Sequence, residues 1–207
     1  MVIQESDIKK IEDAVARAEE KTSGEIVPMI VRGSSVHGHV ELLLAALLAI
    51  VALSFNWYFA SIVEAHWWIG LAEAVVVLAT VLTVGKTDWA LRVLTPNADL
   101  YAQAFARAKN EFWGAGLQKT DGSTGVLLFV SKAEHWAVVL ADKSIADKLP
   151  PETWKSVVDA LIGGIKNGDI AKGYVDAIEK TGAILAEHFP IRPQDKNELP
   201  NKLILKD

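Results

Sequence analysis

"TGVLLFVSKAEHWAVVLADKSI", Thr124 to Ile145, decides the architecture. Two apolar runs, roughly Gly125–Val130 and His135–Ala141, flank a short polar turn and read as an antiparallel strand hairpin. In a hairpin the end of one strand lies beside the start of the other. Asp142 and Lys143 therefore fall beside the loop "LQKTDGSTG", Leu117 to Gly125. Either that charged pair lines a site, or it is the polar end of a strand reaching water.

Upstream, "EIVPMIVR", Glu25 to Arg32, is a further strand rich in branched residues. Pro28 removes a ladder donor, which predicts an edge position or a bulge. A helix precedes it, with Ser6 or Asp7 as cap and Ile8, Ile11, Val15 and Ala18 at helical spacing. Gly24 in "KTSGE" is expected to close that helix in the left-handed conformation. "TPNADLYAQAFARAKNEFW" opens a later helix with Thr95 as cap and Pro96 at its first position. "PPETWKSVVDALIGGIKNG" and "DIAKGYVDAIEKTGAILAEHF" are two more, the last capped by Asp169, with Trp154 as a core anchor. The tail from Pro190 reads as irregular. Strands joined through helices should run parallel. The fold class is therefore α/β: a three-layer α/β/α sandwich with a small mixed sheet.

The chain has 207 residues, a net charge of −5 and 51% hydrophobic residues, with ordinary charged content. The apolar excess must therefore be concentrated. It sits in "LLLAALLAIVALSFNWYFA", 42–60, and "WWIGLAEAVVVLATVLTVG", 67–85. Both runs are about the length a bilayer core requires of a helix. Trp57, Tyr58, Trp67 and Trp68 cluster at the linker between them, where aromatic rings favour the headgroup level. The reading is a transmembrane helical hairpin inserted into one domain; a pair of buried core helices is the alternative. The organisation is then 1–36, first part of the domain; 37–86, the hairpin; 87–189, the remainder; and 190–207, the tail.

Arg32, Lys86 and Arg92 lie at the outer ends of the hairpin, and its loop carries no Lys or Arg. By the positive-inside rule, both termini and the soluble domain are cytoplasmic, in a bacterial inner membrane. The N-terminus has no basic stretch followed by an apolar core, so no signal peptide is expected. Glu73 lies inside the second span. An intramembrane carboxylate suggests function, here in an oligomer, or it reaches water or pairs with a neighbouring helix.

The acidic balance argues against nucleic-acid binding. The absence of cysteine removes disulfides, thiolate metal sites and thiol nucleophiles. No P-loop or G-x-S-x-G elbow occurs. No haem, nucleotide or iron–sulfur cofactor is expected. His37 and His39 lack a third ligand partner. If the first strand is parallel to the second, Thr22, Ser23, Glu25, Thr120, Asp121, Ser123 and Asp142 share one sheet end. Carboxylates, hydroxyls and loop carbonyls suit a hard cation, calcium or magnesium. The opposite end holds Arg32, Ser34, Ser35, Lys132, Glu134 and His135, and resembles an interface more than a pocket.

"TSGEIV", "TDGSTGVLLFVSKAEHWAVVLADKSI", the Trp of "PETWKSVV", "IKNGDIAKGYVDAIEKTGAILAEHFP" and "NELPN" together resemble the TPM domain family of thylakoid-lumen and bacterial proteins. The resemblance covers Ile8 to Pro200 apart from the hairpin. It implies an α/β/α sandwich, calcium binding and, by likeness to plant members, an acid phosphatase activity or a part in photosystem repair. It places Asp142 and the Thr120–Gly125 loop at the calcium end; Asp121 and Glu25 follow by position, with Thr120, Ser123 and Lys143 beside them. Three functions are compatible with this pattern. The first is a membrane-anchored binding, assembly or quality-control factor for membrane proteins, acting with a membrane-protein partner or as a homo-oligomer. The second is a metal-dependent phosphatase of low activity. The third is a membrane role centred on Glu73.

Overall fold

The computed structural model describes residues 3–34, 38–60, 67–84, 87–193 and 195–206; the side chains of 38–41, 56–60, 67–69 and 91 are not described. The side chains of Trp57, Tyr58, Trp67, Trp68 and His39, and all of the 61–66 linker, Ser35, His37 and Lys86, lie outside the described residues. The order of elements is α1 (Glu5–Glu19), β1 (Glu25–Val31), α2 (Gly38–Ala60), α3 (Trp67–Val84), α4 (Asp88–Leu94), α5 (Asn97–Gly114), β2 (Gly125–Ser131), β3 (Trp136–Ala141), α6 (Lys143–Ala146), α7 (Lys155–Lys166), α8 (Ile170–His188) and β4 (Ile204–Lys206). Short 3₁₀ turns cover Leu117–Lys119 and Pro151–Trp154. The chain divides into two compact units, Met1–Ser34 with Tyr101–Asp207, and Ser35–Leu100. The inserted unit thus runs beyond residue 86 and takes in α4, which contacts α2.

In the first unit the fold is mixed α/β with a four-stranded sheet, in the order β3-β2-β1-β4. β1 runs parallel to β2, with Glu25 opposite Gly125, and β2 runs antiparallel to β3, with Val126 opposite Ala141. Strand side chains alternate between faces. Ile26, Ile30, Val126, Leu128 and Val130 pack with α1, α7 and α8. Val27, Met29, Leu127, Phe129 and Val138 pack with Ala104, Ala108 and Phe112 of α5. Helices therefore cover both faces, which is why β1 and β2 are buried along their whole length. Tyr174 of α8 reaches through one core and donates its hydroxyl to Met29 O at 2.6 Å.

Three expectations are corrected. The tail is not irregular throughout, because Ile204–Lys206 pairs in parallel with Met29–Val31. Pro28 is therefore not on an edge strand. Arg32 donates to Lys206 O, so the even-numbered amides of β1 face β4. The amide missing at Pro28 falls on that side, one residue before the β4 pairing begins, and costs no ladder bond. The open amide of Ile26 is taken instead by Glu19 Oε1 at 2.8 Å. Gly24, finally, does not adopt a left-handed conformation: among the described residues the positive-φ glycines are Gly116, Gly122 and Gly168. Its lack of a side chain admits Leu185, whose Cδ1 would stand 2.9 Å from a Cβ there.

In the second unit, α2 and α3 contact one another and expose large apolar side chains, among them Leu42, Leu53, Leu71 and Val76. Among the described residues no single helix is long and apolar enough to cross a membrane. Gly70–Val84 and Asp88–Leu94 meet the length and composition together, bent by 87°.

Candidate functional site

The site that the sequence points to is the sheet end where β1 and β2 begin and β3 finishes. Its loop is built by short-range bonds. Thr120 Oγ1 donates to Leu117 O and accepts from Thr124 N at 3.1 Å, while Ser123 N donates to Thr120 O. Ser123 is held at φ 55° and Gly122 at φ 116°. A side chain at Gly122 would meet the Arg192 guanidinium 3.4 Å away, so Arg192 lies against the loop. Thr124 Oγ1 donates to Ser23 O, and Thr22 Oγ1 donates to Phe189 O at 2.6 Å. Thr22, Ser23 and Thr124 thus join segments of the domain to one another.

Glu25, Gly125 and Asp142 lie side by side across three strands. Glu25 N bonds Thr124 O, and Asp142 N bonds Gly125 O. By alternation Glu25 and Asp142 are on the same sheet face, two strand spacings apart, about 10 Å. Gly125 leaves a gap between them, and Leu117 fills it. A Cβ at Gly125 would stand 2.9 Å from Leu117 O and 3.0 Å from Leu117 Cβ. A fully buried leucine therefore separates the two carboxylates.

On one side of that wedge, Glu25 accepts the amides of Glu198 (2.9 Å) and Leu199 (3.3 Å). Burial raises its pKa, the two amides oppose the rise, and the Glu198 and Asp195 carboxylates add to it. Asp121 joins this side through its backbone, donating to Glu198 Oε2 at 2.8 Å. Glu198 is the residue that sequence reasoning missed. Its signal was present in "NELPN", but only the fold of the tail brings it here.

On the other side, Asp142 caps α6, with Oδ1 accepting from Lys143 N at 2.7 Å. Its Oδ2 is buried without a hydrogen-bond partner. It borders a cavity of about 190 Å³ with Lys109, Phe112 and Trp113. Among the described residues no group of three or more His, Asp or Glu side chains is placed to hold a metal ion. A calcium or magnesium ion takes six or more oxygens. Asp142 offers one unused carboxylate oxygen, and Glu25 is already committed to the tail.

At the opposite sheet end, Glu134 is buried, accepts from Ser34 N at 2.9 Å and takes a short hydrogen bond from the Ser131 hydroxyl. The Ser34 hydroxyl bonds that of Ser131 at 2.9 Å. His135 turns the hairpin at φ 58°. In the second unit, Glu73 borders a cavity of about 520 Å³ between α2 and α3, with Ala45, Ala49, Ala52 and Gly70.

The TPM domain model matches residues 74–184, more than half of the chain, and the protein belongs to that family. The fold is similar to the NMR structure of the BA42 protein from the psychrophilic bacterium Bizionia argentinensis. The two share 22% identity and a TM-score of 0.63, over 99% of this chain and 96% of that one. No curated protein matches the sequence.

Proposed function

We propose that this is a membrane-anchored TPM-domain protein whose α/β unit is a binding module for the assembly or quality control of membrane proteins. One observation carries the reading. The helices inserted into the domain turn large apolar side chains outward, with Leu42 73% and Val76 64% exposed, a surface that water disfavours and a bilayer accepts. The anchor is the α2–α3 hairpin, placed in a bacterial inner membrane with both termini and the α/β unit cytoplasmic. The binding role is supported by a site end where Thr22, Glu25, Thr120, Thr124 and Glu198 hold the loop and tail together.

The test is membrane fractionation with a carbonate wash, together with topology reporters at Asp207 and in the 61–66 linker. Retention in the washed membrane, with the Asp207 reporter on the cytoplasmic side, is the expected result. Recovery in the carbonate supernatant would overturn the anchor. In-cell photo-cross-linking then reads the partners.

A second reading is supported by the unpartnered Oδ2 of Asp142: weak binding of a divalent cation, calcium or magnesium, completed by loop carbonyls. This reading covers binding alone; phosphatase activity would further require metal-dependent release of phosphate that is lost in Asp142→Asn.

A further inference from the structure

We propose that the free edge of β3 is a docking strand. An extended, apolar segment of another polypeptide would add there to the sheet as a fifth strand. This deepens the binding-module reading and rests on it for the source of the partner, but the geometry stands by itself.

β3 is the outer strand of the sheet. Asp142 N bonds Gly125 O, so the opposed pairs Leu127–Leu140, Phe129–Val138 and Ser131–Trp136 are the hydrogen-bonded ones. The amides and carbonyls of Ala137, Val139 and Ala141 therefore point away from β2. No described strand pairs with them. They form a line of three donors and three acceptors, repeating every two residues, about 6.8 Å. Only another extended backbone matches such a line throughout.

The two edges of the sheet differ. The other edge strand, β4, is only three residues long and carries Lys206, and the part of β1 that it does not reach is closed by the Glu19 carboxylate and by Pro28, which has no amide to offer. β3 reads Trp-Ala-Val-Val-Leu-Ala, without a charge or a proline. Proteins normally guard such an edge. An apolar edge without charge or proline, buried at Ala137 and half-buried from Val139 to Ala141, is suited to being covered by a partner.

The edge is also the floor of a groove of about 560 Å³. Tyr101 and Phe105 of α5 form one wall with Trp136, whose ring meets Tyr101 edge-on at 5.6 Å. Trp154 and Val158 line the other side. Side chains of an added strand alternate between these walls, which are apolar apart from Lys155 beside Trp154, so the segment is largely apolar. β3 is recessed between the walls. Two copies of this chain would bring their walls together before their β3 strands, whereas a single extended segment can enter.

The test uses the full-length protein in detergent micelles and a phage-displayed library of random nonapeptides. Enriched peptides should be apolar and extended. They should slow hydrogen exchange at the Ala137, Val139 and Ala141 amides by about tenfold or more, read by NMR, while Val138 and Leu140 stay protected throughout. Methylating alternate peptide amides should abolish binding. Val139→Pro removes one outward donor and no ladder bond to β2, and should abolish capture. Tyr101→Ala tests the wall if the proline variant does not fold. Failure to enrich any peptide over empty micelles would overturn the proposal, as would binding that leaves the three amides unchanged. Protection of those amides in the free protein, rising with its concentration, would assign the edge to a second copy instead. Cross-linked partners that persist in Val139→Pro cells would sink the edge and keep the binding module. No partner with either chain would sink the module, and the peptide result would then judge the edge alone.

Discussion

The Glu19 carboxylate accepts the amide of Ile26 at 2.8 Å, closing the part of the β1 edge that β4 does not reach. Burial pushes the Glu19 pKa up to about 8; the Ile26 amide opposes the rise, the Glu25 carboxylate adds to it and Asn201 offsets part. The folded chain thus holds a proton that the unfolded chain releases near 4.5. That stability is fully present below pH 4.5, falls as pH rises and is gone above 8. The slope approaches about 1.4 kcal/mol per pH unit inside the window. Glu19→Gln keeps an acceptor for Ile26 and removes the proton. The variant should match wild type at acid pH and exceed it at pH 8, by thermal midpoints in detergent. Parallel profiles for the two chains would refute the assignment.

The tail strand is tied to the domain by several carboxylates. Glu25 holds Glu198 and Leu199, Glu12 accepts Leu203 N, and Glu111 pairs with Lys206 Nζ at 2.5 Å. Leu203 adds a buried side chain. Leu203→Ala should cost about 2–3 kcal/mol. Deleting residues 197–207 should cost more and expose the β1 edge, seen as concentration-dependent aggregation. An unchanged midpoint in the deletion would show that β4 is dispensable.

α7 and α8 meet through two glycines. A Cβ on Gly164 would stand 2.6 Å from Gly173 Cα, and one on Gly173 would stand 2.7 Å from Gly164 Cα. The obstacle is backbone, so no side chain can swing aside. Gly164→Ala and Gly173→Ala should each destabilise by about 1–3 kcal/mol. Gly163→Ala, with open space around it, should be neutral or slightly stabilising. Equal effects at Gly163 and Gly164 would contradict the close approach.

Asp142 separates two roles by substitution. Asp142→Ala loses the α6 cap and should cost about 1 kcal/mol whether or not a cation binds. Asp142→Asn retains a capping oxygen and removes the charge. If a cation binds, calcium should raise the wild-type midpoint and leave that of Asp142→Asn unmoved. A calcium shift of equal size in both would place any cation elsewhere.

Strand pairing was legible because it rests on local pattern. The two apolar runs between Gly125 and Ala141, split by a polar turn, and the branched run from Glu25 gave β1, β2 and β3, and the helix cap at Asp169 followed from side-chain chemistry. The helix starts expected at Ser6 or Asp7 and at Thr95 fell elsewhere, since Gln4 precedes α1 and α5 begins only at Asn97. Proximity across the sheet end was legible too. Separation was not, because a buried leucine standing over a glycine is a three-dimensional fact with no periodic trace. The same holds for Pro28: its ring reads as an edge signal, but what matters is which side the missing amide faces. β4 escaped because three residues in a polar tail carry too little alternation to register. Their pairing is decided by the donors and acceptors that β1 leaves open.

The sheet also sets an order of events during synthesis. Glu25 pairs with Gly125, 100 positions later, and the two strands are separated by the whole apolar insertion. At about 5–20 residues per second, β1 waits roughly 5–20 s for its first neighbour to emerge from the ribosome. During that interval an unpaired Glu-Ile-Val-Pro-Met-Ile-Val segment precedes a nascent apolar hairpin. The domain can close only after the hairpin has left the exit tunnel, so the destination of the insertion is decided before its host domain exists as a folded object.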